Sequence, residues 1–156
     1  MKLSQLLRED LVVQPLAAAD KWAAIRALAE RGASKGAIAP ERLETVHAAL
    51  VARERSMTTG MEHGVAIPHA AVDGVEDVVA ILGVAPRGIP FESLDGQPAR
   101  LLVCLIIPRT KKLLHIHTLA RIAKLLARAE VRDAMIAAPD PAAVLAVVRE
   151  TERDVV

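Results

Sequence analysis

Chemistry in this chain is best sought among its five histidines. His69 stands directly behind GVAIP, residues 64–68, where a proline closes an apolar run. A histidine behind a strand end sits where loops gather at a sheet edge, a common place for ligand sites in α/β proteins. There it could belong to a ligand site; the alternative is a loop histidine that simply closes the strand. His115 and His117 lie in LLHIHTLARIAKLL, residues 113–126. At about 100° per residue, Ile116, Leu119, Ala120, Ile122, Ala123 and Leu126 form one apolar arc. His115 projects at the edge of that arc, in the first turn of the helix, while His117 points to the polar side with Arg121 and Lys124. His115 is therefore aimed at the body of the protein, either as an imidazole satisfied by a backbone carbonyl or as a site residue. His47 falls within another helical pattern and reads as an ordinary, partly exposed side chain.

Other reactive patterns are missing. The sequence has no GxxxxGK[ST] loop, no GxGxxG, no GxSxG elbow and no HExxH, which removes local support for nucleotide binding, acyl transfer and zinc proteolysis. Trp22 and Phe91 are the only aromatic side chains other than histidine, and Lys plus Arg (20) nearly balances Asp plus Glu (19). Without stacking rings or a basic excess, nucleic acid is not an expected partner. The single cysteine, Cys104, lies inside LLVCLII and reads as a buried structural thiol. The first sixteen residues have no continuous apolar centre, and the longest apolar run, Leu101 to Pro108, is far shorter than the roughly 18 residues of a membrane span. A cytoplasmic protein without membrane insertion is expected.

Helical and strand patterns alternate around these histidines. Asp20 caps a helix through DKWAAIRALAERG, with Trp22, Ile25, Leu28 and Ala29 at helical spacing. Pro40 opens a second helix, ERLETVHAALVARE, with a stripe of Leu43, Val46, Leu50 and Val51. Three strand candidates follow: GVAI, DVVAILGVA and ARLLVCLII, the last two apolar almost throughout, as suits strands covered on both faces. After Pro108 come the histidine helix, a shorter EVRDAMIAA, and a terminal helix opened by Asp140 and Pro141. With 53% hydrophobic residues over 156 positions, the chain is expected to form one α/β layered domain, residues 1–156, with a central mixed sheet flanked by helices on both faces.

The stretches Arg53-Glu54, Thr58-Thr59-Gly60, GVAIPH ending at His69, and HIHTLARIAK from His115 together resemble the enzyme IIA domain of the bacterial sugar phosphotransferase system, fructose–mannitol type. DKWAAIRALAERG, FESLDGQPARLLVCLIIP and HIHTLARIAKLLA are similar to the nitrogen-regulatory branch of that family. The resemblance implies that His69 accepts a phosphoryl group from a histidine-containing phosphocarrier protein, and that His115 and Arg53 assist. Thr58 and Thr59 would then offer hydroxyl donors, with backbone N–H groups around Gly60 and Gly64. Met57, Met61, Leu113 and Leu114 would form an apolar rim for partner proteins. No metal or other cofactor is required.

The family usually carries a glycine-rich S-T-G-I-G-x-G loop, and here Glu62 and His63 occupy its second half. A carboxylate beside a phosphorylated histidine would repel it, so Glu62 must point away or the site is tuned around it. Three function classes stand open. One is a regulatory phosphocarrier that binds target proteins, which the branch similarity and the lack of a IIB or IIC region within these residues favour. The second is a sugar-transport IIA that passes phosphate to a cysteine of a IIB protein. The third is a metal-binding protein using His63, His69, His115 and Glu62.

Overall fold

The computed structural model describes residues 2–154, and the side chains of all of these except Lys112, Leu114 and Asp154. Two long strands organise it: β4 (Val79–Ile89) and β5 (Ala99–Pro108), paired antiparallel. Val79–Ala85 of β4 and Leu101–Ile107 of β5 are almost entirely aliphatic, so neither face of that part of the hairpin can be left to water. Alternation along β5 sends Leu101, Val103, Leu105 and Ile107 into one core and Leu102, Cys104 and Ile106 into another. Helices cover each side, as the apolar runs imply.

On one face lie α2 (Lys21–Ser34) and α3 (Leu43–Ser56), packed through Ile25, Leu28, Val46 and Leu50. Asp20 caps α2 by accepting a hydrogen bond from the Ala23 N–H at 2.9 Å, and Pro40 opens a single 3-10 turn that leads into α3. The buried stripes differ from expectation on both helices. On α2 it is Lys21 that is buried, while Trp22 stays 37% exposed; on α3 the stripe of Val46 and Leu50 continues to Glu54, with Leu43 and Val51 only partly buried. On the other face lie a one-turn helix α1 (Leu3–Leu6), α4 (Lys112–Leu126), α5 (Ala129–Ala137) and α6 (Pro141–Asp154). Ile122, Leu126, Met135, Val144 and Val148 supply that core. Cys104 is fully buried and loss of solvent pushes its thiol up to about 12, so it packs as a small apolar side chain and stays unreactive.

The sheet is mixed, in the order β1-β4-β5-β2, where β1 is Val12–Val13 and β2 is Val65–Ala66, each parallel to its neighbour. A fifth strand, β3 (His69–Val72), also pairs parallel with β5, His69 standing opposite Leu105. β2 and β3 are thus two pieces of one edge, separated by Ile67 and Pro68. Proline suits an edge because its missing N–H costs no inner ladder bond. Here its carbonyl still accepts from the Leu105 N–H at 2.9 Å. Pro68 therefore interrupts the strand without ending it, and His69 opens a strand instead of standing in a loop.

Candidate functional site

Three chain segments bring their histidine or arginine to one place. His69 comes from the first position of β3, His115 from the first turn of α4, and Arg53 from the last turn of α3. The His69 and His115 rings meet edge to face, their centroids 5.1 Å apart. The Nδ1 of His69 lies 2.7 Å from the Ile67 carbonyl oxygen. A carbonyl can only accept, so Nδ1 carries the proton and Nε2 keeps the lone pair. The turn at Ile67-Pro68 thereby selects the tautomer of the next residue.

Burial shifts both rings toward the neutral form. Burial holds His69 below the ordinary histidine range, with a smaller push from the Arg53 cation; the Ile67 hydrogen bond and the nearby Glu54 carboxylate act in the opposite sense and do not prevail. His115 is also held low, by burial first and then by His69 and Arg53. Its Nε2 is buried with no hydrogen-bond partner among the described residues. A buried nitrogen left unpaired costs about 1–3 kcal/mol, and His115, though packed on His69, does not itself line the cavity that His69 faces. Arg53 spends one guanidinium N–H on the Met57 carbonyl, 2.9 Å away, and makes no ion pair among the described residues.

His69 and Arg53 face a cavity of about 400 Å³ walled by Thr58, Thr59, Gly60 and Met61 on one side and by Leu119, Ala120 and Ala123 of α4 on another. The threonines do not offer free donors. Thr58 Oγ1–H donates to the Phe91 carbonyl at 2.7 Å, and the same oxygen accepts from the Gly60 N–H at 3.2 Å. Thr59 is buried, and both its N–H, at 2.7 Å, and its hydroxyl donate to the Glu54 carboxylate. Hydroxyl donation to a ligand by these two residues is therefore replaced by wall building. Gly64 is absent from the cavity lining. It is buried, takes φ +76°, and its carbonyl accepts from Arg100 and Leu101, which makes it a hinge into β2.

Gly60 is needed for space. A Cβ there would lie 2.7 Å from the Phe91 carbonyl oxygen and 2.9 Å from Ser93 Cα. Both are backbone atoms that cannot rotate aside. Gly60→Ala is expected to cost about 1–3 kcal/mol and to displace the cavity wall, measurable as a lowered urea midpoint at unchanged slope.

Two residues to which the sequence reading gave no role hold this wall. Lys21 and Glu54 form a buried ion pair at 3.1 Å, their side chains 4% and 1% exposed. Lys21 also reaches Thr58 Oγ1 at 3.4 Å and Glu92 at 3.6 Å. Glu54 was findable, since it continues the Val46, Leu50 spacing by four residues on a core-facing stripe. Lys21 sits four before Ile25 in the same way.

The rim is apolar and exposed: Met57 (68%) and Leu94 (76%) line the cavity, and Leu113 (76%) and Ile116 (63%) stand on α4. Leu94 and Ile116 extend the rim expected from sequence. Met61 is partly buried against the core and also lines the cavity, and Leu114 lies outside the described side chains. Ile116 was expected to face inward. The buried face of α4 instead centres on Thr118, Ile122, Leu125 and Leu126, turned away from Ile116 and Ala120. Glu62 and His63 do not line the cavity either; they are exposed and face each other at 3.7 Å. His63 takes φ +64°, and its N–H donates to Asp95 at 2.9 Å. Glu62 thus points away, which resolves the repulsion its position suggested. Among the described residues no three His, Cys, Asp or Glu side chains are grouped to hold a metal ion.

Residues 5–151 match the family described as "Phosphoenolpyruvate-dependent sugar phosphotransferase system, EIIA 2". The nitrogen regulatory protein of Bradyrhizobium diazoefficiens is 31% identical over 147 residues, 94% of each chain. The fold matches that of nitrogen regulatory protein IIA-Ntr from Neisseria meningitidis with TM-score 0.85 at 21% identity, covering 94% of this chain and 98% of that one. It also matches enzyme IIAMTL in the Escherichia coli complex with phosphorylated enzyme IIBMTL, TM-score 0.78 at 22% identity, covering 92% and 97%. With the family's span covering every residue that lines the His69 cavity, this chain belongs to the type 2 enzyme IIA family of the phosphoenolpyruvate-dependent sugar phosphotransferase system.

Proposed function

We propose that His69 is the phosphoryl acceptor of this enzyme IIA domain, taking the group from a phosphohistidine of a histidine-containing phosphocarrier protein in the cytoplasm. The observation that carries the reading is the Ile67 carbonyl on His69 Nδ1, because it leaves Nε2 as a neutral nucleophile in a fixed orientation. Nε2 attacks phosphorus as the donor's P–N bond breaks, and the leaving electron pair stays on the donor ring. Positive charge that grows on the accepting imidazole is stabilised at Nδ1–H by the carbonyl. Arg53 faces the same cavity as the acceptor and the His115 ring packs edge to face on His69; both would stabilise the equatorial oxygens, which carry the charge in a loose transition state. Thr58, Thr59 and Gly60 shape the wall and leave the donation to those two side chains. The apolar rim of Met57, Leu94, Leu113 and Ile116 suits a protein donor.

Nitrogen-type regulation is the role best supported, by likeness to a nitrogen regulatory protein along nearly the full length of both chains. In that role, phosphorylation of His69 changes which target proteins bind the rim. A second reading, transfer to a IIB cysteine, draws support from the fold shared with an enzyme IIA solved with its phosphorylated IIB.

Intact-mass measurement after incubation with phosphoenolpyruvate, enzyme I and the phosphocarrier protein tests the proposal. One acid-labile phosphate is expected; none would overturn it. The pH profile gives a further prediction. A lowered His69 pKa means that the neutral, reactive ring persists below about pH 6.5, where a free histidine is half protonated. Single-turnover acceptance at a saturating donor level should therefore fall on the acid side with a midpoint below pH 6.5. A midpoint at or above 6.5 would contradict the buried, neutral ring.

A further inference from the structure

Helix α4 separates the His69 cavity from a second, larger one. Leu119 and Ala123 face the first, and His117, Arg121 and Lys124 face the second, on roughly opposite sides of the helix. The second cavity, about 620 Å³, also takes Lys2 from the start of the chain, Arg128 from the turn between α4 and α5, and Glu152 from α6. Such a volume lies within the ordinary range for small-molecule sites.

Its charge is one-sided. Four permanent cations and one imidazole face a single carboxylate, and that carboxylate is occupied. Glu152 is 7% exposed, and its two oxygens accept from the Leu3 N–H at 2.9 Å and the Ser4 N–H at 2.8 Å. Arg128 is paired with Glu130, but Lys2, Arg121 and Lys124 make no ion pair among the described residues. Some surface cations elsewhere are paired, as in Arg8–Asp10, Arg26–Glu44, Arg109–Asp73 and Lys111–Asp77, and others, such as Arg55 and Arg87, are not among the described residues; what sets this group apart is that its cations line one cavity. With a net charge of only +1 over the chain, the excess here is local. Gathering like charges around a cavity costs free energy unless an anion neutralises them.

We propose that this cleft binds a phosphorylated small molecule of nucleotide size. Two guanidinium groups, on Arg121 and Arg128, offer forked donors that match phosphate oxygens, and Lys2 and Lys124 add point charges. Ala120 and Leu125 supply an apolar floor for a ring or other uncharged part of the ligand. The cations come from three segments around one cavity, so a compact anion meets them together, which a long acidic peptide lying along one helix would not. The ligand would also bear on His69. Rim residues Leu113 and Ile116 leave the first turns of α4 largely uncovered, and an anion that ties α4 to the start of the chain holds the helix that carries His115. This last link rests on the proposed role of His69; the binding does not.

Calorimetric titration of the unphosphorylated full chain with ADP, inorganic pyrophosphate and adenosine tests the site, using wild type and the Arg121→Glu/Lys124→Glu double variant. Both residues are exposed and lie outside the His69 cavity, so the fold and acceptance without ligand should be unchanged. Binding of one ADP per chain is expected, tighter than pyrophosphate, weakened by salt, absent for adenosine, and reduced about tenfold or more by the charge reversal. No heat from ADP or pyrophosphate at millimolar concentration, or equal binding by the variant, would overturn the site. Binding of an oligoglutamate peptide but not of ADP would overturn it in favour of a protein-docking surface. A change in the rate of His69 phosphorylation on adding ADP to wild type but not to the variant supports the α4 link; ADP binding without that change overturns the link and leaves the site standing.

Discussion

His69→Ala is expected to abolish phosphate acceptance while the protein stays folded. The variant loses the only ring nitrogen that the Ile67 carbonyl presents as a neutral nucleophile. The pairing of β3 with β5 runs through backbone atoms opposite Leu105, which alanine retains. One hydrogen bond of about 1 kcal/mol disappears with the ring, so the melting temperature should move by only a few degrees. His115→Ala keeps the acceptor and removes a neighbour of the transferring group, so single-turnover transfer should slow by about a hundredfold without vanishing. Intact mass and rapid quench read the two effects separately. A His69→Ala protein labelled as fully as wild type would remove His69 from the mechanism.

Glu54→Ala should produce the largest loss of stability of any single change near the site. Its carboxylate receives the Lys21 ammonium at 3.1 Å and the Thr59 N–H at 2.7 Å, and all three groups are buried. Removing it strands a cation left with the Thr58 hydroxyl oxygen at 3.4 Å and, as its remaining charged partner, Glu92 at 3.6 Å with a 76% exposed side chain. Breaking a buried pair from one side costs about 3–5 kcal/mol, which for a protein of this size lowers the melting temperature by roughly 6–20 °C. The double variant Lys21→Met/Glu54→Leu removes both charges and should recover much of that loss. It should not recover transfer, because Thr59 still lacks the acceptor that fixes the wall. A single-variant loss below about 1 kcal/mol would show that water reaches the pair.

Much of the scaffold was legible. The unbroken apolar runs of β4 and β5 announced a sheet covered on both faces, Asp20 and Pro40 marked helix starts, and the GVAIPH and HIHTLARIAK stretches pointed to the histidines that the structure brings together. What escaped was short or depended on distant partners. α1 and β1 have too few residues for a periodic signal. β3 was hidden by Pro68, since a proline reads as a terminator unless the strand is known to lie at a sheet edge. The threonines looked like free donors because Glu54, five residues before Thr59, could not be seen turning back into the wall.

The sequence by itself determined the long helices, the two central strands and the buried thiol, because periodicity and turn chemistry are local properties, while the pairing of an IPH histidine with a helical one was implied by the family resemblance. Only the tertiary structure decided which hydroxyls were already engaged, that Lys21 and Glu54 meet, that Glu62 stands clear of the cavity, and that α4 has a cationic cleft behind it. Each of these turns on sheet register and on how helices far apart in the chain pack over it. That packing, and not any one residue's propensity, sets which polar groups lose water together and must satisfy one another.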